Sequence, residues 1–313
     1  MSNPAVRALT TRRGVVRLPT FFPVTTFGNQ YPLDRLIRPY LPRLSQAVLA
    51  SYHYATHLDE NPAEHPEVPL FIDSGGFVLL FEGSTMSKTD GVFCIQTHKG
   101  DLVSPDKVLE RQMRIAEIGA TLDFPIPPSC ESNQERRQRF EATLANAEWA
   151  LRNNRRADLL LYASLQCWDF GSAREAGRTY AQMCHHNRSF CGIAIGGMVP
   201  RLRDPDFVRG VVEAVREEWS GPIHVFGVGN AQMVRKCLEW GADSTDSSSY
   251  VKYAANGRSV NSRLPTIPEA HLTPLGRMQL ALRNLAHLLD PVNDQLPLSA
   301  AGMNKVLGDE AAS

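Results

Sequence analysis

Short apolar runs that end in polar residues or glycines recur along the whole chain. The clearest run is Leu-Phe-Ile at 70–72, which is followed by Asp73, Ser74 and two glycines. Three consecutive apolar residues are typical of a strand buried on both faces of a parallel sheet. Asp73 is therefore predicted to lie at the carboxyl end of a strand, where ligands bind in α/β folds because the loops leaving those ends converge on one face.

Eight such units follow one another in series. They lie at 15–26, 47–54, 69–73, 119–129, 158–166, 190–199, 223–229 and 242–250. Helix signals separate them, such as Ser132 three residues before Glu135, and a hairpin excursion is predicted at 91–100. Eight strand-to-helix units predict a single-domain α/β fold, a (β/α)8 TIM barrel, and a doubly wound open sheet is the alternative. We expect the barrel to span 1–290 and a short tail to span 291–313.

Composition excludes some partners and locations. The 313 residues carry zero formal net charge, so no global field attracts nucleic acid and a polymer must be held by a local basic patch. No apolar run approaches the ~18 residues of a membrane span. Six irregularly spaced cysteines and a start without an apolar signal core predict a cytoplasmic protein with free thiols. The candidates for the basic patch are Arg136, Arg137, Arg155, Lys252 and Arg258, and a solvated helix face is the alternative for the arginines.

The strand ends share a chemistry that suits a planar, hydrogen-bonding ligand. They are Asp73, Asp123, Gln166, Gly196, Gly197, the stretch 227–229, and Asp243 or Asp246. Carboxylates accept the N–H groups of a guanine-like edge, and an amide or backbone N–H serves its carbonyl. Phe77 and Phe226 are placed to stack on the two ring faces. A pair of carboxylates flanking a sugar carbon also permits displacement through a covalent glycosyl intermediate.

The sequence predicts no metal site. Cys184, His185 and His186 with Cys191 have poor ligand spacing, and His53 with His57 is a lone pair of histidines. Both sets are incomplete. The glycines at 227 and 229 lack the third glycine of a dinucleotide fingerprint.

Six motifs, in order, resemble those of the tRNA-guanine transglycosylases, and most of all the archaeosine branch of that family. They are Asp-Ser-Gly-Gly-Phe at 73–77, Thr-Leu-Asp-Phe-Pro-Ile-Pro at 121–127, Leu-Gln at 165–166, Ile-Gly-Gly-Met-Val-Pro at 195–200, Phe-Gly-Val-Gly at 226–229 and Asp-Ser-Ser-Ser-Tyr-Val-Lys-Tyr-Ala at 246–254. The likeness runs from about residue 13 to 289.

The resemblance implies roles for these residues. Asp246 matches the family's nucleophile and Asp73 its general acid/base. Residues expected to bind or sandwich the base are Asp123, Gln166, Gly197, Phe77 and Phe226, with Ser74, Gly196 and Met198 from the same motifs. The implied reaction expels guanine from a nucleotide and inserts a 7-deazaguanine with the same stereochemistry, and it requires no cofactor.

The chain departs from the family after the eighth strand unit. The family carries a Cys-x-Cys-x-x-Cys and histidine zinc site there, whereas this sequence has no cysteine after Cys237, and His271 is the one histidine of 257–272. We therefore expect no structural zinc and no C-terminal RNA-binding domain. These departures resemble the 7-deazapurine DNA-modifying transglycosylases, so DNA is the favoured polymer and tRNA the second. Duplex DNA requires extrusion of the target base, which favours a single strand or partner proteins that open the strands.

The residues after the Gly-Gly pair predict the incoming base. Queuine enzymes place a glutamate there to accept an ammonium group, whereas this chain has Pro200, Arg201 and Leu202. A cation and an apolar group suit a neutral nitrile, and 7-cyano-7-deazaguanine is the predicted base.

Two other classes of function remain as alternatives. The first is a non-catalytic subunit that positions nucleic acid, although retention of Asp73 and Asp246 argues against it. The second is a small-molecule glycosidase or nucleosidase, in which water replaces the incoming base.

Overall fold

The structure, a computed structural model, describes residues 7–28, 31–184, 188–260, 266–268 and 272–295. Eight parallel strands form one sheet. In chain order they are β3 (Thr20–Pro23), β4 (Val48–Ala50), β5 (Leu70–Ile72), β9 (Ile118–Ala120), β10 (Leu160–Leu165), β11 (Gly192–Ile195), β12 (Ile223–Val225) and β13 (Ser244–Ser247). Val24 pairs with Leu49, and Thr25 N–H donates to Leu49 O at 2.8 Å, so the first and second of these strands meet and the sheet closes.

Helices cover the outside of the barrel. They are α1 (Pro32–Ile37), α2 (Leu41–Leu44), α3 (Thr56–Glu60), α4 (Pro105–Ile115), α5 (Asn133–Asn153), α6 (Phe170–Met183), α7 (Pro205–Glu218), α8 (Ala231–Glu239), α9 (Ser249–Ala255) and α10 (Pro274–Leu289). Ser132 Oγ accepts from Glu135 N–H at the start of α5, as the sequence predicts. The (β/α)8 barrel is thus confirmed, and closure excludes the doubly wound open sheet.

Large side chains fill the barrel interior. Phe22, Phe71, Tyr162 and His224 are fully buried there and contact one another edge-on or at a tilt. This layer forms a floor beneath the carboxyl ends of the strands. A ligand can therefore enter from that end, because the interior below it is packed.

A short hairpin covers the amino ends of the strands. It consists of β1 (Ala8–Thr11) and β2 (Gly14–Arg17), which pair antiparallel and add their apolar residues to the interior cluster. Arg12 Nε and Arg13 Nε donate to the buried Glu117 carboxylate at 2.6 and 3.1 Å. The sequence predicts one strand unit at residues 15–26, whereas the structure has two separate strands there, β2 and β3.

An antiparallel sheet is inserted between β5 and α4. It contains β6 (Thr85–Thr89), β7 (Val92–Gln96) and β8 (Leu102–Val103), with Asp90 and Gly91 at positive φ in the turn. The excursion predicted at 91–100 therefore begins about six residues earlier. Most of the predicted tail at 291–313 lies outside the described residues, so the boundary at 290 stays a prediction. Among the described helices, none combines the length and apolar composition that a membrane crossing needs.

Candidate active site

Asp73 lies one residue beyond β5, at the carboxyl rim of the barrel. Its Oδ1 accepts from Tyr52 N–H and from Gly75 N–H, both at 2.9 Å. Gly75 adopts φ 70°, a conformation that glycine tolerates, and this turn brings its N–H back onto the carboxylate. Because both amides hold Oδ1, Oδ2 is the oxygen left for a ligand.

Asp73 is an unusually weak acid for a carboxyl that is only partly buried. Desolvation raises its pKa from 3.8 to about 7, although hydrogen bonds from the Tyr52 and Gly75 amides and the Ser51 hydroxyl oppose the rise. The negative charge of Asp246 makes a smaller contribution to the increase. A carboxyl with a pKa near neutrality can both donate and accept a proton, as a general acid/base must.

Asp246 lies in β13 and is buried. Its Oδ1 accepts from Gly227 N–H at 2.8 Å and lies 3.2 Å from His224 Nε2. His224 Nδ1 lies 2.9 Å from Ser244 Oγ, so both ring nitrogens of this fully buried histidine have partners. Sequence reasoning missed His224, although the alternation of β12 places it on the same inward face as Phe226.

Asp123 and Gln166 form a second polar group at the same rim. Gln166 Nε2 donates to Asp123 Oδ2 at 2.5 Å, and Ser74 Oγ donates to Asp123 Oδ1. Gln166 Oε1 accepts from Ile126 N–H at 3.2 Å. Burial raises the pKa of Asp123, and the hydrogen bonds from Ser74 and Gln166 oppose the rise.

Glycines allow the backbone to approach this pair. A Cβ at Gly76 would lie 2.2 Å from Asp123 O and 2.4 Å from Asp123 Oδ1, and one at Gly196 would lie 2.2 Å from Gln166 Nε2. Gly197 has φ 71°, and a Cβ there would lie 2.8 Å from Gln166 Oε1. Gly76, Gly196 and Gly197 are therefore required by the close packing around Asp123 and Gln166.

The three apolar candidates occupy different positions. Met198 is buried, and Phe226 is partly buried with its ring centre 4.6 Å from that of His224. Phe77 is 38% exposed and contacts His53 edge-on at 5.6 Å. Stacking of a base between Phe77 and Phe226 stays a prediction.

The arginines proposed as a phosphate patch are not brought together. Arg136 and Arg137 lie in the first turns of α5, near the rim, and Arg137 is paired with Glu141 and Glu175 at 2.8 Å each. Arg155 follows the end of this 21-residue helix, which is about 30 Å long, and precedes β10. It lies at the opposite end of the barrel, so the arginines of this segment do not form one surface.

Lys252 and Arg258 lie on and after α9, which begins two residues beyond β13. Both are exposed, and the Arg258 guanidinium lies 5.3 Å from the Tyr253 ring centre. These cations are thus close in sequence to Asp246 and remain candidates for phosphate contacts.

Arg201 and Leu202 have partners elsewhere. The Arg201 guanidinium lies 4.2 Å from the Phe207 ring centre, and Leu202 packs against the main core. The sequence argument assumed that these two residues contact the nitrile of the incoming base, but the contacts they make here are with other parts of the protein. Val199 is the neighbour that faces the rim, since a Cβ at Gly227 would lie 2.3 Å from Val199 Cγ2.

Asp243 is structural. Its Oδ2 accepts from Arg216 Nη2 at 2.6 Å and from Ile223 N–H at 2.8 Å, at the amino end of β13. Within the described residues, no group of three or more His, Cys, Asp or Glu side chains could hold a metal ion. The set at Cys184, which the sequence analysis judged incomplete, includes His185 and His186, which lie outside those residues.

The chain is similar in sequence to several curated proteins. A tRNA-guanine(15) transglycosylase of Methanosarcina mazei is 27% identical over 261 residues, covering 81% of this chain and 50% of the relative. One of Pyrococcus abyssi is 25% identical over 272 residues, covering 85% and 41%. One of Methanococcus aeolicus is 27% identical over 204 residues, covering 62% and 30%. The chain thus spans between about a third and a half of the length of these curated relatives.

A family model extends over nearly the whole chain. The model described as queuine tRNA-ribosyltransferase, TGT, matches residues 3–298. This span includes all eight strands of the barrel and every side chain placed at its rim above. The chain therefore belongs to the TGT family.

Proposed function

We propose that this protein is a guanine transglycosylase, which exchanges guanine in a nucleic acid for a 7-deazaguanine through a covalent aspartyl-glycosyl intermediate. The observation that carries the proposal is that Asp73 and Asp246 both lie at the carboxyl rim of the barrel, which also holds Asp123 and Gln166. Base exchange with retention uses two such carboxylates, one as nucleophile and one as general acid/base.

The nucleophile in this proposal is Asp246. A carboxylate only accepts hydrogen bonds, so His224 Nε2 carries the proton and donates to Oδ1, together with Gly227 N–H. Oδ2 then attacks the anomeric carbon, the bond from that carbon to N9 of guanine breaks, and its electron pair leaves with the base. A carbon–oxygen bond to the enzyme replaces it.

Asp73 is the general acid and base in this proposal. With a pKa of about 7 it is partly protonated at neutral pH and can donate to the departing guanine. The resulting carboxylate takes the N9 proton of the incoming deazaguanine, which attacks the same carbon and releases Asp246. Two inversions give net retention.

Recognition of the base is assigned to Asp123 and Gln166. Asp123 accepts the two N–H groups of a guanine edge, and Gln166 Nε2 donates to the ring carbonyl. Met198, Ser74 and the Gly196–Gly197 backbone complete this pocket. The 7-cyano substituent stays a prediction, and apolar Val199 is the rim residue that suits a neutral group.

The similarity to proteins named tRNA-guanine(15) transglycosylases supports tRNA as the polymer. One observation favours DNA as a second candidate. The sequence has no cysteine after Cys237, in the region where the resembled family has its zinc ligands. A cytoplasmic location and partner proteins that open the strands remain predictions from the sequence.

The test is incorporation of radiolabelled guanine into tRNA and into single- and double-stranded DNA in parallel. We expect exchange into at least one polymer, abolished by Asp246→Ala and retained by Asp90→Asn, a control in the exposed hairpin turn. Exchange that survives Asp246→Ala contradicts the mechanism. Release of guanine without incorporation identifies a nucleosidase, and binding without either reaction identifies a positioning subunit.

A further inference from the structure

A row of four rings leads from the candidate pocket onto the surface. His53, Phe77, Phe81 and His98 contact one another in that order, all edge-on, with ring centres 5.6, 5.7 and 5.5 Å apart. We call this row the aromatic ladder. His53 lies on the segment after β4, Phe77 and Phe81 on the segment after β5, and His98 on the loop after β7.

The ladder begins next to the residues assigned to the base. Phe77 follows Gly76, whose Cα hydrogen faces Asp123, and His53 Nε2 lies 3.0 Å from the carbonyl of Gly75. The residue that is expected to stack on the exchanged base is therefore also the second ring of the ladder. The ladder is thus continuous with the base site.

The outer half of the ladder is exposed but held in position. Phe81 is 46% exposed and neighbouring Leu80 is 51% exposed. His98 N–H donates to Ser84 Oγ at 3.1 Å, and this bond ties the loop after β7 to the segment that carries Phe81. A rigid exposed aromatic surface binds a planar partner at little cost in conformational entropy.

The chemistry of the surface favours a nucleobase over a phosphate. Glu82 and Lys99 flank the outer rings, so the local charge is close to balanced. Aromatic side chains stack on every kind of base because every base has a π-face, and unpaired bases of RNA and single strands are read in this way. Extrusion of a target base also leaves its neighbours unstacked.

We propose that Phe81 and His98 bind one unpaired nucleobase next to the target guanine, on the same strand. This inference rests on the proposed function, since it assumes that the target base enters at Phe77. The ladder then holds the strand open on one side of the exchanged nucleotide, and the occupant is the substrate polymer itself.

The first test measures affinity for a guanine-containing single strand, in DNA and RNA form, by fluorescence anisotropy. Phe81→Ala should weaken binding roughly 5- to 100-fold, the range for loss of one stacked base. The factor should be the same at low and high salt, because phosphate contacts and not stacking depend on salt. Phe170→Ala is the matched control, since Phe170 is 44% exposed and has its own ring partner, Phe207, at 5.6 Å.

The second test locates the base directly. Oligonucleotides with 5-iodouracil on either side of the target guanine are irradiated in complex with the protein, and mass spectrometry maps the cross-link. We expect Phe81 or His98 from one side and neither from the other. Asp246→Ala should lose exchange but keep this cross-link, so failure of the catalytic proposal is separable from failure of this one.

Three results would overturn the inference. Equal losses in Phe81→Ala and Phe170→Ala show a non-specific effect of exposed aromatic residues. Cross-links that map away from the ladder place the neighbouring base elsewhere. Conversion of a wild-type dimer to a monomer by Phe81→Ala, measured by sedimentation, shows that a second copy of the chain covers this surface.

Discussion

The buried charge of Asp73 should reduce stability in a way that one substitution can reveal. Asp73→Asn keeps Oδ1, the oxygen that accepts from Tyr52 N–H and Gly75 N–H, so both backbone hydrogen bonds can persist. The variant loses the ability to ionise, and an NH2 group replaces Oδ2. We therefore expect it to lose guanine exchange and to gain stability.

The magnitude follows from the pKa of Asp73, which is 3.8 unfolded and about 7 folded. Below pH 3.8 the carboxyl is protonated in both states and contributes nothing. As pH rises toward 7, the unfolded state ionises while the folded state stays protonated, so the free energy of unfolding falls. At 1.36 kcal/mol per pKa unit, the loss is about 1.5 kcal/mol at pH 5 and about 4 kcal/mol at pH 8.

The assay is urea denaturation of wild type and variant at pH 5 and pH 8. The free energy of unfolding of Asp73→Asn should exceed that of wild type by about 2.5 kcal/mol more at pH 8 than at pH 5. Contributions of titrating groups that do not interact with Asp73 cancel in this difference. Asp90→Asn is the control, because Asp90 lies in an exposed turn at φ 51°, which Asn also tolerates. If the free energies of unfolding of variant and wild type differ by the same amount at both pH values, the raised pKa of Asp73 is refuted.

Two further predictions concern the pocket. Gly196→Ala should abolish base binding while the protein stays folded, because its Cβ would lie 2.2 Å from Gln166 Nε2 and displace the amide that pairs with Asp123. Calorimetric titration with 7-deazaguanines measures this binding. An affinity equal to that of wild type would contradict the prediction. His224→Leu should lower kcat for exchange roughly 10- to 100-fold through loss of a hydrogen bond to the ionised Asp246, with KM little changed. His224→Gln should recover part of that loss, and equal kcat values in the two variants would exclude the hydrogen bond as the cause.

The barrel could be predicted because the sequence encodes it locally. Each strand is a short apolar run that ends at glycine or a polar residue, as Leu70–Ile72 ends before Asp73, and this pattern does not depend on distant contacts. The sequence also predicts that the candidate site residues, which follow the strands, lie at one rim of the barrel. The carboxyl ends of parallel strands in a barrel face one way, so Asp73, Asp123, Gln166 and Asp246 lie at the same rim although they are far apart in sequence.

The basic patch could not be predicted in this way. Proximity in sequence was used for Arg136 and Arg155, but α5 separates them by its whole length. The ion pair of Arg137 could not be predicted either, because its partner Glu175 belongs to the next helix. Surface charge depends on helix length and on neighbouring helices, which a single segment does not reveal.

His224 was missed for a different reason. Within Ile-His-Val-Phe it was counted as part of a buried strand, and a lone histidine in such a run is usually a satisfied core residue. Its role depends on the register that pairs His224 with Ser244 and so sets Asp246 diagonally beside it. Register between strands comes from tertiary contacts, although the alternation of β12 and β13 already placed both side chains inside the barrel.

The candidate base pocket satisfies its own polar groups before a base arrives. Asp123 accepts hydrogen bonds from Ser74 and Gln166, and Gln166 accepts one from Ile126 N–H. The buried carboxylate of Asp123 is therefore hydrogen-bonded within the protein. Under the proposed function, a guanine edge would replace these donors with its own two N–H groups and free the Gln166 amide for the ring carbonyl. A purine without those N–H groups would displace the same bonds and return none, which costs free energy at a buried carboxylate. The proposed specificity for guanine-like bases therefore follows from the hydrogen bonds that Asp123 and Gln166 make.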